Sequence, residues 1–512
     1  MNTTTRRIAL MCSAALISMG AVSCGTSDSD TSGHLRIATQ LPPMGMNPHT
    51  AISEVRSYPY FTPVYDRLTQ MVVGDDGLAE VAPMVATEWT TSEDGLSTVF
   101  NLRDDATFSD GAKLDAAAVK VTLDHAIAPE SSVGNLLSMI TSTDVMDEYT
   151  VRINTNRPDV DLPATLSSPT GALISPNAID NPDLDVNPVG SGPYTVTSVK
   201  IGDSVEYKRR DDYWDSSAQG AETITIKGMT DPNARLNALR SGQIDFTQLT
   251  IEQFDQASSL GSRFEVHSYP KTTNVAMMLN IDKPALSDVR FRQALNYAVD
   301  RDSINNSLLD DQCAPTTQLL ASGVDGFLAA PPADYTYNPE KARQLLDEAG
   351  IDNVTLNVAL SKSSVYLQKV ATAMADQLAT LGIDLQFKKG DTDQSMSSFR
   401  SGEVDGFLTT RSGYATPGLT LSQNFLSKSR FPGTIPDELS TAISIGSNST
   451  LTPADRTAAY EQASAVVNGG ALDLYVCKLG AQVAYTDKVT GADRMGGSAY
   501  MNGLDPRYLG IS

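Results

Sequence analysis

Between Lys271 and Ile304 the apolar positions pass from one rhythm to another. Val275, Met277 and Leu279 alternate with Asn274, Ala276 and Met278, so both faces of this stretch are largely apolar and it reads as a strand covered on both sides. From Phe291 the spacing changes. Phe291, Leu295, Ala298 and Val299 recur as one face of a helix, with Ser287 as its cap and Asp288 in its first turn, and a second short helix restarts at Asp300.

The same two rhythms place elements on either side. Residues 35–39 read as a first strand, followed by a loop rich in proline and glycine that carries Met44 and Met46. Residues 99–102 form a strand between the turns Asp94-Gly95 and Asp110-Gly111, before an alanine-rich helix that begins near Asp115. Residues 194–200 and 204–209 alternate around Ile201-Gly202-Asp203 as a hairpin. Further on, Asn338, Pro339 and Glu340 open a helix whose buried stripe is Ala342, Leu345, Leu346 and Ala349, and Gly350 ends it. Residues 354–360 alternate as a strand, Leu367, Val370, Met374, Leu378 and Leu381 mark a helix stopped by Gly382, and residues 383–387 alternate again. Strand, helix, strand with short links implies a right-handed parallel unit, hence an α/β lobe. Residues 472–486 alternate as strands.

A short internal repeat adds to this picture. Arg240-Ser241-Gly242-Gln243-Ile244-Asp245 recurs as Arg400-Ser401-Gly402-Glu403-Val404-Asp405. In each copy glycine can close a helix in a left-handed conformation, after which Ile244 or Val404 begins a strand. The copies lie on opposite sides of the stretch at Val275, which suggests one helix-to-strand unit in each of two lobes.

At the amino terminus, Arg6 and Arg7 precede an apolar run from Ile8 to Val22 and then Ser23, Cys24 and Gly25. The run is short for a bilayer span and ends in small residues, so residues 1–23 read as a cleaved export signal and Cys24 as the lipid-bearing first residue of the mature chain. Ala21 stands where leucine is the usual choice. A plain secreted chain is the alternative, and the arginine pair leaves both the general and the twin-arginine export routes open. Residues 24–33 are polar and acidic, as in a flexible tether. Loss of the signal removes two arginines and no acid, taking the net charge from −23 to about −25, which disfavours nucleic acid as a partner.

With Cys12 in the signal and Cys24 lipidated, Cys313 and Cys477 remain as an even pair in an exported protein and are candidates for a disulfide, two unlinked buried thiols being the alternative. Closing so long a loop is worth at most about 5 kcal/mol in the chain-entropy account. Enzyme signatures are weak. The four histidines, His34, His49, His125 and His267, have no metal-ligand spacing, and neither H-E-x-x-H nor G-x-S-x-G occurs. Ser268-x-x-Lys271 matches the S-x-x-K of penicillin-binding enzymes, but Pro270 would spoil the helix that brings the two side chains together. A serine hydrolase is therefore the least favoured reading, and no metal or cofactor is called for.

The segment Asp288 to Arg301, DVRFRQALNYAVDR, closely resembles the most recognisable stretch of extracellular solute-binding protein family 5, the peptide, nickel and opine receptors of ABC importers. The likeness extends to Tyr65-Asp66-Arg67-Leu68-Thr69, Phe108-Ser109-Asp110-Gly111, Pro188-Val189-Gly190-Ser191-Gly192-Pro193-Tyr194 and Asp211-Asp212-Tyr213-Trp214. The glycines of the third segment read as turn residues rather than a phosphate cradle, lacking the third glycine of a nucleotide fingerprint. Trp89 and Trp214 are the only tryptophans, Trp214 in the last of these segments and Trp89 in a further family-like stretch with Pro83, Ser92 and Asp94-Gly95, which disfavours an oligosaccharide-stacking cleft.

The resemblance implies a two-lobed α/β fold of the type II periplasmic-binding-protein kind, of the large cluster with an extra subdomain, its lobes joined by a two-stranded hinge. Residues 34–272 and 487–512 would form lobe I with the subdomain, and 273–486 lobe II. It implies a monomeric receptor, lipid-anchored, palmitate included, on the outer face of the cell membrane, which captures a small molecule or peptide and passes it to ABC permease subunits driven by an ATPase. A receptor used for signalling or adhesion without a permease is the alternative outside transport. Candidate ligand contacts are Met44, Asn274, Arg411, Gly413 and Tyr414. In peptide-binding relatives an A-D-Y-x-D-P-like segment supplies an aspartate for the ligand's free amine, and Gly413 holds the matching place in Arg411-Ser412-Gly413-Tyr414-Ala415-Thr416-Pro417. A buried ammonium requires an anion. An oligopeptide-like ligand therefore needs another acid, and a metal chelate, opine or other solute without a free amine is the rival. Arg411 is a candidate for a bidentate bond to a ligand carboxylate.

Overall fold

In the computed structural model the strand Thr273–Leu279 is buried at every position and sits inside a six-stranded sheet. The structure describes residues 33–50, 54–75, 77–129, 131–428, 430–496 and 503–512, so the export signal, Cys24 and all of the tether but Gly33 lie outside the described residues. Val275, Met277 and Leu279 join the apolar core on one face of the sheet, while Ala276 and Met278 enter separate clusters on the other. Both faces are thus dry, as the unbroken apolar run requires. The helix Val289–Tyr297 follows, but Asp288 rather than Ser287 is its cap. The Asp288 carboxylate accepts from the Arg290 amide at 2.8 Å, whereas Ser287 Oγ donates to the Pro284 carbonyl. A charged cap one residue later also meets the helix dipole.

The six-stranded sheet runs in the order Ala314–Pro315, Asp473–Leu479, Thr273–Leu279, Gly406–Arg411, Val354–Ser361, Ile383–Gly390. Val354–Ser361 is parallel to both of its neighbours, with the helix Val365–Ala379 as the crossover to Ile383–Gly390. Cys313 and Cys477 are bonded, with Cα atoms 5.7 Å apart, and the bond holds the edge strand Ala314–Pro315 against Asp473–Leu479.

A seven-stranded sheet forms the second body, in the order Phe264–Ser268, Gln482–Thr486, Phe246–Gln248, His34–Thr39, Thr223–Gly228, Ser204–Arg209, Tyr194–Lys200. A four-stranded antiparallel sheet, Ala86–Thr91, Ser97–Leu102, Thr150–Thr155, Ile140–Asp147, has its own core under the helix Ala116–Ala126. The chain crosses between the two large sheets twice, through residues 269–272 and residues 480–481. Gln482–Thr486 pairs within the seven-stranded sheet, although the sequence boundary at 486 leaves it with the other lobe. The alternation from 472 to 486 continues through the crossing, and Gly480 is the local break in it. There the two crossings touch. The Tyr269 amide donates to the Ala481 carbonyl at 2.9 Å, and a Cβ on Gly480 would lie 2.1 Å from the Tyr269 carbonyl oxygen.

The internal repeat marks equivalent joints in the two sheets. The helices Pro232–Arg240 and Thr392–Arg400 both end at a serine followed by a left-handed glycine, Gly242 at φ +73° and Gly402 at φ +70°. The amides of Gln243 and Glu403 then reach back to the carbonyls of Ala238 and Ser398. The strands begin two residues later than the pattern places them, at Phe246 and Gly406, because the aspartates act first. Asp245 accepts from the Arg36 amide at 2.9 Å and Asp405 from the Asn357 amide at 2.8 Å, each clamping the neighbouring parallel strand.

The other family-like segments also have structural work. Asp66 accepts from the Tyr213 hydroxyl at 2.9 Å, from Trp214 Nε1 at 3.2 Å and from the buried Arg507 at 2.7 Å, which joins two of those segments to the carboxy-terminal tail. Gly190 and Gly192 are not in positive-φ conformations. Their missing side chains let the backbone lie on Val64, where a Cβ would come within 2.2 and 2.6 Å of a carbonyl oxygen.

Candidate functional site

A cavity of 630 Å³ lies between the two large sheets, beside both crossings. Its position follows from strand direction. His34–Thr39 and Val354–Ser361 are each parallel to their neighbours, and the loops leaving their carboxyl ends, with Thr39, Gln40 and Ser361 among them, line the opening. The volume is that of small-molecule sites, roughly 300–1,000 Å³.

From the body of the seven-stranded sheet come Arg56 on the helix Glu54–Phe61 and the segment from Gln248 to Gln253, which carries Glu252. From the body of the six-stranded sheet come Ser363, Ser364, Tyr366, Thr392, Thr410 and Ser412. One wall carries the charges and the other is built of hydroxyls. Tyr366 on that other wall is pushed up to about 12 by burial, against a lowering bond to Ser364, with the Glu252 carboxylate adding a smaller upward push. Tyr366 and Glu252 thus line the cavity from opposite walls. At the crossings Thr273 and Gln482 complete the lining.

The five ligand contacts expected from sequence are not gathered on this lining. Met44 is 60 % exposed on its loop. Asn274 is fully buried, donating to the Leu319 carbonyl at 3.0 Å and accepting from Lys478 Nζ at 2.6 Å. Burial holds that lysine down to about 7. Arg411 is the last residue of its strand rather than a loop residue. It is completely buried and paired with Asp473, with Nη1 donating to the Asn424 carbonyl at 2.8 Å and the Phe425 ring 5.0 Å away. Thr410 and Ser412 on either side line the cavity, and strand alternation turns Arg411 away from it. Gly413 lies on the first crossing, where a Cβ would be 2.8 Å from the Thr272 carbonyl oxygen. Tyr414 is half-buried beside a small cluster with Tyr58 and Met71.

Sequence reasoning missed Arg56, Glu252, Tyr366 and Gln482, which stand in segments without a recognisable motif. The one available signal was positional, since Glu252 follows the repeated helix-to-strand unit that delivers its chain to the cleft. Two of the four histidines do meet in space. His49 and His125 stack with Nδ1 atoms 2.7 Å apart, and burial, with the neighbouring ring second, holds His49 down to about 3. Among the described residues no group of three or more His, Cys, Asp or Glu is placed to hold a metal ion, and no helix is long and apolar enough to cross a membrane. Ser268 ends a strand and Lys271 lies in the first crossing, so S-x-x-K is not on a helix.

Residues 80–433 match the profile of the bacterial extracellular solute-binding proteins, family 5 (middle region). The chain belongs to that family. The glutathione-binding protein GsiB of Salmonella paratyphi A is 31% identical over 344 residues, a match that covers 66% of this chain and 65% of that protein. Among solved structures, NikA from Brucella suis in complex with Fe(III)-EDTA superposes with a TM-score of 0.81 at 24% identity, over 94% of this chain and 100% of the other. DppA from Helicobacter pylori in complex with the peptide STSA gives 0.80 at 20% identity, over 94% and 98%. These likenesses show that the family 5 chain has the type II, two-lobed periplasmic-binding-protein fold. Family members are extracellular or periplasmic solute-binding proteins.

Proposed function

We propose that this family 5 protein is the solute-capturing receptor of an ABC importer, taking an oligopeptide-like solute between its two lobes and delivering it to permease subunits with their ATPase. The observation that carries the reading is the cavity between two sheets joined by paired crossings, because a ligand there touches both bodies only when they are closed on it. Lobe I consists of residues 34–268 with the four-stranded subdomain, together with the chain from Gln482 onward, and lobe II of residues 273–479. The receptor is a monomer, without enzymatic activity, exported and held to the outer face of the membrane by lipid on Cys24, palmitate included. Gly413 favours a second reading, a metal chelate, opine or other solute lacking a free amine, since the family's usual anion is missing there.

Mass spectrometry of small molecules that co-purify with the chain is expected to recover peptides, and adding them back should raise the unfolding temperature. Recovery of chelates or opines alone favours the second reading, and failure of any small solute to bind or stabilise overturns both. Labelled palmitate should enter the wild-type chain but not Cys24→Ala, which should leave the membrane fraction. Equal release of the two overturns the anchor.

A further inference from the structure

Among the described residues three oxygens on cavity-lining side chains are buried and have no hydrogen-bond partner: Glu252 Oε1, Gln482 Oε1 and Thr273 Oγ1. Buried polar atoms are paired in most of a folded protein, so three orphans on one cavity mark where a ligand's donors belong. Gln482 is only 8 % exposed, and its amide is oriented by Nε2, which donates to Gln312 Oε1 at 3.0 Å and leaves the oxygen over. Two of the three orphans can only accept, and the hydroxyl can do so. A primary ammonium carries three donors and a positive charge, which matches this set in number and in sign.

The charges agree with that match. Among the described lining residues Arg56 and Glu252 are the charged side chains, one of each sign. Arg56 is half-buried and makes no hydrogen bond or ion pair among the described residues. A ligand with one ammonium and one carboxylate leaves neither uncompensated, whereas a polyanionic chelate would meet Glu252 as a like charge. Gly413 cannot supply the anion, because its backbone rests on the Thr272 carbonyl.

We propose that Glu252, with the Gln482 and Thr273 oxygens, binds the protonated amine of a zwitterionic ligand, a short peptide with a free amino terminus, and that Arg56 binds its carboxylate. The amine site has thus moved from the loop of lobe II to the segment after Phe246–Gln248 in lobe I. Tyr366 from lobe II faces Glu252 across the cavity, so an ammonium held there would be closed over by the opposite wall.

This inference rests on the receptor reading, and the test separates the two. Immobilised protein is equilibrated with an equimolar mixture of short lysine-free peptides, half with free and half with acetylated amino termini, and the retained peptides are counted by mass spectrometry. Wild type is expected to enrich free termini by at least about tenfold, and Glu252→Gln, close in shape, to retain peptides with that preference lost. Arg56→Gln should in the same way erase a preference for free carboxylates over amides. Equal retention of free and acetylated peptides by the wild type overturns the amine site while leaving a peptide receptor standing. A preference that survives Glu252→Gln overturns the assignment to Glu252, and retention of no peptide at all overturns the inference together with the peptide reading. The wild-type comparison needs no variant, so it stands even where a substitution impairs folding.

Discussion

Asp473→Ala is expected to lower the unfolding free energy by about 3–5 kcal/mol, the usual cost of leaving a buried charge without its partner. Asp473 opens the strand Asp473–Leu479, and its carboxylate receives the guanidinium of Arg411 and, at 3.2 Å, the Tyr475 hydroxyl. Both side chains of the ion pair have no exposed surface. Without the carboxylate, Arg411 keeps one carbonyl and the face of Phe425, which do not neutralise it. The double variant Arg411→Met with Asp473→Leu should cost less than Asp473→Ala alone, since it removes the stranded charge. Urea denaturation of the three proteins reads this directly. A loss below about 1 kcal/mol for Asp473→Ala would show that water reaches the pair.

The second large effect concerns pH and closure. Asp161 lies at the start of the short helix Leu162–Thr165, in the body built on the four-stranded sheet. It faces Ser447 at the end of the helix Asp437–Gly446, which belongs to the other body. Ser447 Oγ donates to Asp161 Oδ2 at 3.1 Å, and the Val160 amide donates to the Ser447 carbonyl at 2.9 Å. Burial, with Asp159 second, pushes Asp161 up to about 7, against bonds from Thr416 and Ser447 and the pull of Arg157. Tyr460 also faces it, with Arg456 beyond, and Asp159 is itself raised by burial, though paired with Arg157 at 3.2 Å.

When the two bodies part, Asp161 meets water and returns to the ordinary carboxylate range near 4. Because its pKa is then higher closed than open, its contribution to closure is complete below about pH 4 and is lost as pH rises through about 7. Ligand affinity should accordingly fall by up to about tenfold per pH unit over that window and level off above it. By the same linkage, calorimetry in buffers of different ionisation enthalpy is expected to count about one proton taken up per ligand near pH 5.5. Asp161→Asn should bind with little dependence on pH. If wild type and Asp161→Asn share one pH profile, the contact does not sense protons.

Much of the architecture was written in short-range pattern. The two-sided apolar strand at Val275, the parallel unit from Val354 to Gly390 and the paired helix-to-strand joints all follow from burial period and turn chemistry, which are local. The end of lobe II was not legible, because the alternation from 472 to 486 is the same on both sides of Gly480 and only pairing partners tell the sheets apart. Arg411 illustrates the limit for the site. Its neighbours face the cavity, and a displacement of one position along a strand reverses a side chain's direction. Glu252 and Gln482 were unreadable for a different reason. Their significance lies in hydrogen bonds they do not make, and a missing partner has no signature along the chain.

Asp245 and Asp405 occupy the same joint in different sheets, yet their partners differ. Asp245 holds the guanidinium of Arg36 as well as its amide, with the Arg36 Nη2 at 2.7 Å, while among the described residues the Asp405 carboxylate meets the amide groups of Asn357 and no guanidinium. Lesions at these matched places weaken one half of the molecule at a time. Whether the halves then melt in a single step or in two, and whether a bound solute welds them back into one cooperative unit, becomes a question that two alanines can answer.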